Sequence, residues 1–205
     1  MKFLFVACAI LLVISIVFFV SFPIIKRRSL KKNFVRTYGR GVFKIANMYD
    51  YYLINKLALK SNDDSRLNID HLLLANKYIF VIKDYYFDGS LKGKEVDNSW
   101  VYYFGSKKNP KQEYINNPIS ENIARTRKLS MITGLDDSLL ISIVLVNDDC
   151  DLSLELNESN THFVSKRSGL KKLIEEIEAR NVAPLNNEQL SYAVRDIASL
   201  NVNPR

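Results

Sequence analysis

Hydrophobic and polar positions divide this chain into an apolar head and a patterned body. From Phe3 to Ile25 there are 23 residues without a charge, long enough as a helix to cross a hydrocarbon core of roughly 30 Å. From Asn33 to about Tyr52, Val35, Val42, Ile45, Ala46 and Tyr49 recur at spacings of three, four and seven, which predicts a helix. Tyr51 to Leu59 then reads as a first strand, closed by the polar break Ser61 to Ser65. Leu67 to Ala75 and Tyr78 to Tyr86 predict two strong strands joined by Asn76-Lys77. Both are apolar on each face in places, as central strands covered by helices are. Leu91 to Glu95 and Trp100 to Phe104 predict a shorter outer hairpin, with Gly89 and Asp97-Asn98 at its turns.

Gly105 to Gln112 reads as a lysine-rich loop. Pro118 opens a helix that runs to about Thr133, where Gly134 stops it. Leu139 to Val146 is a nearly continuous run of branched apolar residues and predicts a buried strand. Thr161 to Val164 predicts a short last strand. Leu170 to Ala179 puts Leu170, Leu173, Ile174 and Ile177 on one helical face, and Asn187 to Leu200 predicts a further amphipathic helix. No internal repeat or low-complexity tract is present. The order of elements points to an α/β core with a mixed sheet flanked by helices, preceded by one N-terminal transmembrane helix.

The head is longer than the apolar core of a signal peptide, and no small-x-small cleavage site follows it. It therefore predicts an uncleaved anchor over residues 1–25. Lys26, Arg27, Arg28, Lys31, Lys32, Arg36, Arg40 and Lys44 follow it, only Lys2 precedes it, and the first acid is Asp50. Positive charge stays on the cytoplasmic side, so a single-pass protein of the cell membrane with its bulk in the cytoplasm is expected. The formal charge is +7, but residues 1–49 hold nine of the 29 Lys and Arg and no acid. The remainder has 20 basic against 22 acidic groups and is near −2. The basic excess thus belongs to a juxtamembrane linker, 26–38, where Lys26, Arg27, Arg28, Lys31 and Lys32 suit anionic lipid headgroups. The body lacks the basic surplus of a typical phosphate-tracking nucleic-acid binder. Two cysteines, Cys8 in the head and Cys150 in the body, exclude a disulfide framework and a cysteine-based zinc site. Seven scattered glycines form no phosphate-cradling loop.

One residue in the body demands a chemical reason. Asp70 lies inside an apolar strand, and a buried acid is costly unless paired, hydrogen-bonded or bound to metal. Around it, Ile69-Asp70-His71 is followed by Tyr78-Ile79-Phe80-Val81-Ile82, Gly89, Gly93, Trp100 and Asn117-Pro118-Ile119-Ser120-Glu121-Asn122. This ordered set resembles the nuclease-related domain, NERD, a branch of the restriction-endonuclease-like fold, from about Gly39 to Ile177. The resemblance implies a domain over 39–180, a C-terminal helical tail over 181–205, and a bacterial type of protein. It also implies a metal site from three elements: a glutamate on the first helix, an aspartate on the first central strand, and a Glu-x-Lys pair on the next. Carboxylates hold a hard divalent ion, the ion generates a nucleophile from water, and the lysine stabilises developing negative charge.

Carried over residue by residue, Asp70 stands at the aspartate. Lys83 and Tyr85 stand at the Glu-x-Lys pair, Val42 after Gly41 at the helix glutamate, and Glu121 where the family often has glutamine. One acid of three survives, so no metal and no cofactor are expected. An ion pair of Lys83 with Asp70 is the structural solution for an acid that has lost its metal. Asp84 is the nearest substitute ligand, but one residue out of register places it on the opposite face; Asp88 and Glu95 lie further along. Such displaced ligands, with Mg²⁺ or Mn²⁺, define an alternative: an active nuclease on DNA or RNA. His71 and His162 read as structural histidines, and Trp100, Tyr51-Tyr52, Tyr85-Tyr86 and Tyr102-Tyr103 as strand-packing aromatics in preference to base-stacking platforms. The expected function is a membrane-anchored binding or scaffolding module with an unidentified protein partner. A membrane-surface adaptor working through the basic segment is a further alternative.

Overall fold

The computed structural model describes residues 2–60, 65–106 and 109–202. The chain divides into two compact units, Met1–Thr37 and Tyr38–Arg205. Helix α1 (Lys2–Tyr49) starts in the first and ends in the second, with one non-helical residue, Asn33, at φ −122°. Among the described residues no helix is long and apolar enough to cross a membrane. The side chains of residues 3–10, 13, 20, 23 and 24, about half of the expected span, lie outside the described residues, as do those of Lys26 and Arg27. Arg28, Lys31 and Lys32 are exposed.

The second unit is built on two sheets. The larger has the order β1 (Tyr52–Lys60), β2 (Arg66–Leu74), β3 (Ile79–Tyr85), β7 (Leu140–Val146), β9 (His162–Lys166). Its first three strands are antiparallel, and β3, β7 and β9 are parallel. The smaller sheet has the order β6 (Asn109–Asn116), β5 (Ser99–Ser106), β4 (Ser90–Lys94), β8 (Asp151–Glu155). Helices α2 (Pro118–Thr133), α3 (Leu170–Glu178) and α4 (Asn187–Ser199) complete the unit. Every residue of β7 is buried, as its apolar run, interrupted only by Ser142, requires of a strand covered on both faces.

One apolar cluster joins Leu57, Leu59, Ile69, Leu72, Leu74, Ile79 and Val81 of the larger sheet to Leu129 of α2 and to Leu190 and Ile197 of α4. A second joins Val144 and Val146 to Leu91 and Trp100 of the smaller sheet and to Ile119 of α2. Ile69 and Leu72 share a cluster although three positions apart, so the two-residue alternation of β2 breaks once, at Asp70-His71. Lys56, opposite this point between the pairs Asn55–His71 and Leu57–Ile69, has φ +55°. That left-handed residue lets β1 follow the same break.

Two elements differ from the sequence reading. The expected lysine-rich loop contains β6, an exposed strand with no apolar alternation; it forms because the hairpin from β5 supplies its pairing partner. Strand β8 lies in 147–160, a stretch that reading leaves unassigned, and it lengthens the outer hairpin into a sheet by parallel pairing with β4. Its Leu152 and Leu154 do alternate with polar residues.

Candidate functional site

The larger sheet forks at Asp70. The β2–β3 ladder ends at His71–Ile82, while β2 runs on beside β1 to Arg66 and β3 runs on beside β7 to Tyr85. On this side the Asp84 N–H has no β2 carbonyl opposite it, and an unpaired amide there would be costly. The Asp70 carboxylate fills the gap: Oδ2 accepts from the Asp84 N–H at 3.0 Å. Lys83 Nζ lies 2.9 Å from the same oxygen and 3.1 Å from Oδ1. The two side chains are 19% and 23% exposed, so the pair is largely withdrawn from solvent at the floor of the fork.

The other family positions carry no ligand set. The Tyr85 hydroxyl donates to Glu121 Oε2 at 2.9 Å; burial first, and this bond second, push its phenol up to about 12. Glu121, in the first turn of α2, also accepts from Asn116 Nδ2 at 3.1 Å and from Arg125 Nη2 at 3.3 Å. Burial works to raise its pKa, but those bonds and the Arg125 charge hold it below the usual carboxylate range. Val42 is fully buried in α1 and offers no ligand atom. A hard divalent cation takes several oxygen ligands. Here it would meet the Asp70 carboxylate, already engaged by an ammonium and an amide, and the Glu121 carboxylate, already engaged by Tyr85, Asn116 and Arg125, together with a phenol and a valine. These residues do not fit a metal ion. Among the described residues no three of His, Cys, Asp and Glu gather where an ion could be held.

The displaced acids have other partners. Asp84 points to the opposite face, as its register requires, where Oδ2 meets His71 Nε2 at 2.8 Å. His71 Nδ1 lies 2.5 Å from Asn55 Oδ1. Burial raises the Asp84 carboxyl against the opposing effect of the His71 bond, and its Oδ1 has no hydrogen-bond partner. Glu95 meets His162 Nε2 at 2.9 Å and accepts from the Asn157 N–H at 2.9 Å. Asp88 accepts from the Tyr102 hydroxyl. None of the three carboxylates is directed to Asp70.

A model of the nuclease-related domain family matches residues 40–147, from α1 through β7 and including the whole fork. The chain belongs to the nuclease-related domain (NERD) family. It is also similar to a crystal structure of a protein of unknown function, AF1548, at 13% identity over 78% of each chain with a TM-score of 0.37, a likeness too low to transfer fold or function. No curated protein matches the chain.

Much of the NERD pattern in this chain is scaffold. A Cβ on Gly89 would stand 1.9 Å from the Tyr103 carbonyl oxygen, and one on Gly93 2.3 Å from Trp100 Cδ1. Trp100 is fully buried and donates from Nε1 to the Lys94 carbonyl at 2.8 Å, so it packs between elements and presents no face to a base. Asn117 caps α2, with Oδ1 accepting from the Ile119 N–H at 2.9 Å, while Nδ2 ties the Glu95 and Asp97 carbonyls at 2.8 Å each. Asn122, fully buried, donates from Nδ2 to the Val81 carbonyl at 3.0 Å and to Ser142 Oγ at 2.9 Å. These contacts explain the Asn-Pro-x-x-x-Asn run: it locks α2 onto β3 and β7.

Sequence reasoning missed the cations around the fork. Arg66, Lys83, Arg125 and Lys128 line an open cleft of about 450 Å³ with Leu67, Asn68, Glu121 and Ala124. The signal was present in α2, where 121, 124, 125 and 128 share one helical face. The third contributor, Arg66, comes from the far end of β2 and is brought there only by the fork.

Proposed function

We infer that this NERD protein is a membrane-tethered binding module in which the nuclease-type site has exchanged metal coordination for an internal ion pair. The observation that carries the reading is Lys83 on both oxygens of Asp70. A metal ion would have to displace an ammonium from Asp70, then find further oxygen ligands where Tyr85 and Val42 stand. The commitment of Asp84 to His71 and of Glu95 to His162 gives no support to the alternative of a rebuilt nuclease.

Tethering is supported by the head. Leu11, Leu12, Ile14 and Phe19 are each more than half exposed, Phe19 at 85%, and contiguous apolar surface of this kind requires cover. A bilayer on residues 1–25, with Lys26 to Lys32 at its cytoplasmic headgroups, supplies that cover. Carbonate extraction of membranes and protease protection test it: the chain stays in the pellet, and its body is cleaved only from the cytoplasmic side. Release by carbonate overturns the tether.

The site is tested by titrating Mn²⁺ into the full chain in detergent micelles, wild type and Asp70→Asn, with cleavage assays on single- and double-stranded DNA and RNA. No saturable Mn²⁺ binding and no cleavage above background are expected. Binding and cleavage that Asp70→Asn abolishes would make this an enzyme.

A further inference from the structure

We propose that the cleft beside the fork is an anion site that takes the phosphate groups of a small phosphorylated molecule. Its lining residues include four cations, Arg66, Lys83, Arg125 and Lys128, against one acid, Glu121. Even with Asp70 counted against Lys83, two positive charges remain among them. They come from three elements, β2, β3 and α2, and are aimed at one space. Glu121 is an ionised carboxylate engaged by Tyr85, Asn116 and Arg125, and its charge is already set against the four cations in that count.

Arg125 is the central cation of the cleft. Its Nη2 reaches Glu121 at 3.3 Å, while its Nη1 is buried and meets no acceptor. The Arg125 side chain is 27% exposed along the cleft, and its planar guanidinium suits a phosphate that can accept two N–H groups at once. Lys128, one turn further along α2, bonds the Ser65 hydroxyl at the start of β2, which holds the ammonium beside the same space. Lys83 is fixed by Asp70, so its remaining N–H groups are pre-positioned and little entropy is lost on binding.

Size and surroundings favour a small molecule over a polymer. The cleft measures about 450 Å³, room for a diphosphate with a small organic group. Residues 50–205 are near −2 in net charge, without the surplus that a polynucleotide backbone requires along its track. Lys83, at the position of the family's metal-holding glutamate, would thus hold phosphate directly. This inference rests on the reading of the fork as a site that binds without metal.

The test is isothermal titration of sodium pyrophosphate into the full chain in detergent micelles, without divalent ions, for wild type, Arg125→Gln, Arg66→Gln and Lys128→Gln. Saturable binding at one site is expected, weakened about tenfold or more in Arg125→Gln and reduced in each of the other two. Arg66, exposed at the mouth of the cleft, provides a variant that leaves the fold intact if Arg125→Gln proves unstable by Trp100 fluorescence. Absence of binding to pyrophosphate at millimolar concentration overturns the proposal. So does equal binding by wild type and the folded variants. An affinity for oligonucleotides that rises with their length and is not competed by pyrophosphate also overturns it, in favour of a polymer track. The Mn²⁺ titration fails separately: Mn²⁺ bound on Asp70 with cleavage overturns the metal-free reading, whereas missing pyrophosphate binding with no Mn²⁺ binding overturns only the anion site.

Discussion

Removing one partner of the Asp70–Lys83 pair should cost more than a surface ion pair is worth, because both side chains are about four-fifths covered. At 2.9 Å and an effective dielectric near 20, the gross attraction is about 6 kcal/mol. Desolvation of two partly buried ions offsets most of it, and the remaining exposure screens part of the rest. A net coupling of about 1–2 kcal/mol is left, above the 0–1 kcal/mol of exposed pairs. Lys83→Met alone should destabilise by about 2–3 kcal/mol, since it strands the Asp70 carboxylate in a low-dielectric fork. Asp70→Asn should cost a similar amount, leaving an ammonium with an amide oxygen. A double-mutant cycle of Lys83→Met, Asp70→Asn and the combination isolates the coupling. The assay is urea denaturation of the full chain at fixed detergent, followed by the fluorescence of Trp100, the single tryptophan and a buried one. The coupling should persist at 0.5 M salt, because partly buried pairs are weakly screened. A coupling below about 0.5 kcal/mol, or one abolished by salt, would refute the ion pair as the replacement for a metal.

Four other outcomes follow from named contacts. Rebuilding the family pair with Lys83→Glu and Tyr85→Lys should create Mn²⁺ affinity that wild type lacks, because two carboxylates then face the fork; a titration without saturation contradicts the placement of these residues. Gly93→Ala forces a methyl group to 2.3 Å from Trp100 Cδ1 and should cost about 1–3 kcal/mol, read as a lower urea midpoint with a red-shifted Trp100 emission. The pKa of Glu121 is lowered in the folded state, so its contribution to stability is complete above its ordinary value of 4.5 and is lost as pH falls through its lower folded value. Wild type and Glu121→Gln should therefore differ at pH 6 and converge under acid, and an unchanged difference at pH 3 contradicts the assignment. Burial pushes the Cys150 thiol up to about 11, so in a Cys8→Ser background a disulfide reagent at pH 8 should react at the rate of unfolding, and a rapid native reaction refutes the burial.

The sequence by itself determined most of the elements. Asn117-Pro118 and Gly134 announce the ends of α2, because a cap, a proline at the first turn and a left-handed glycine are local requirements of a helix. The runs through Leu72 and Val81 announce central strands, since only strands covered on both faces are apolar on both. Lys83 and Tyr85 stand at the family's paired positions, which is why the sequence leads to the expectation that no metal is held there. The sequence also offered Lys83 as the partner of Asp70 and put Asp84 on the opposite face, and the structure shows both. Tertiary structure alone decided that Asp84 meets His71 and that Arg66 joins Arg125 and Lys128 where β2 and β3 diverge. Divergence is a matter of pairing across the sheet, β2 continuing beside β1 and β3 beside β7. For the same reason β6 was illegible: most of its residues are polar and exposed, and its strand form comes from pairing with β5 and from Ile115, which packs against the second apolar cluster.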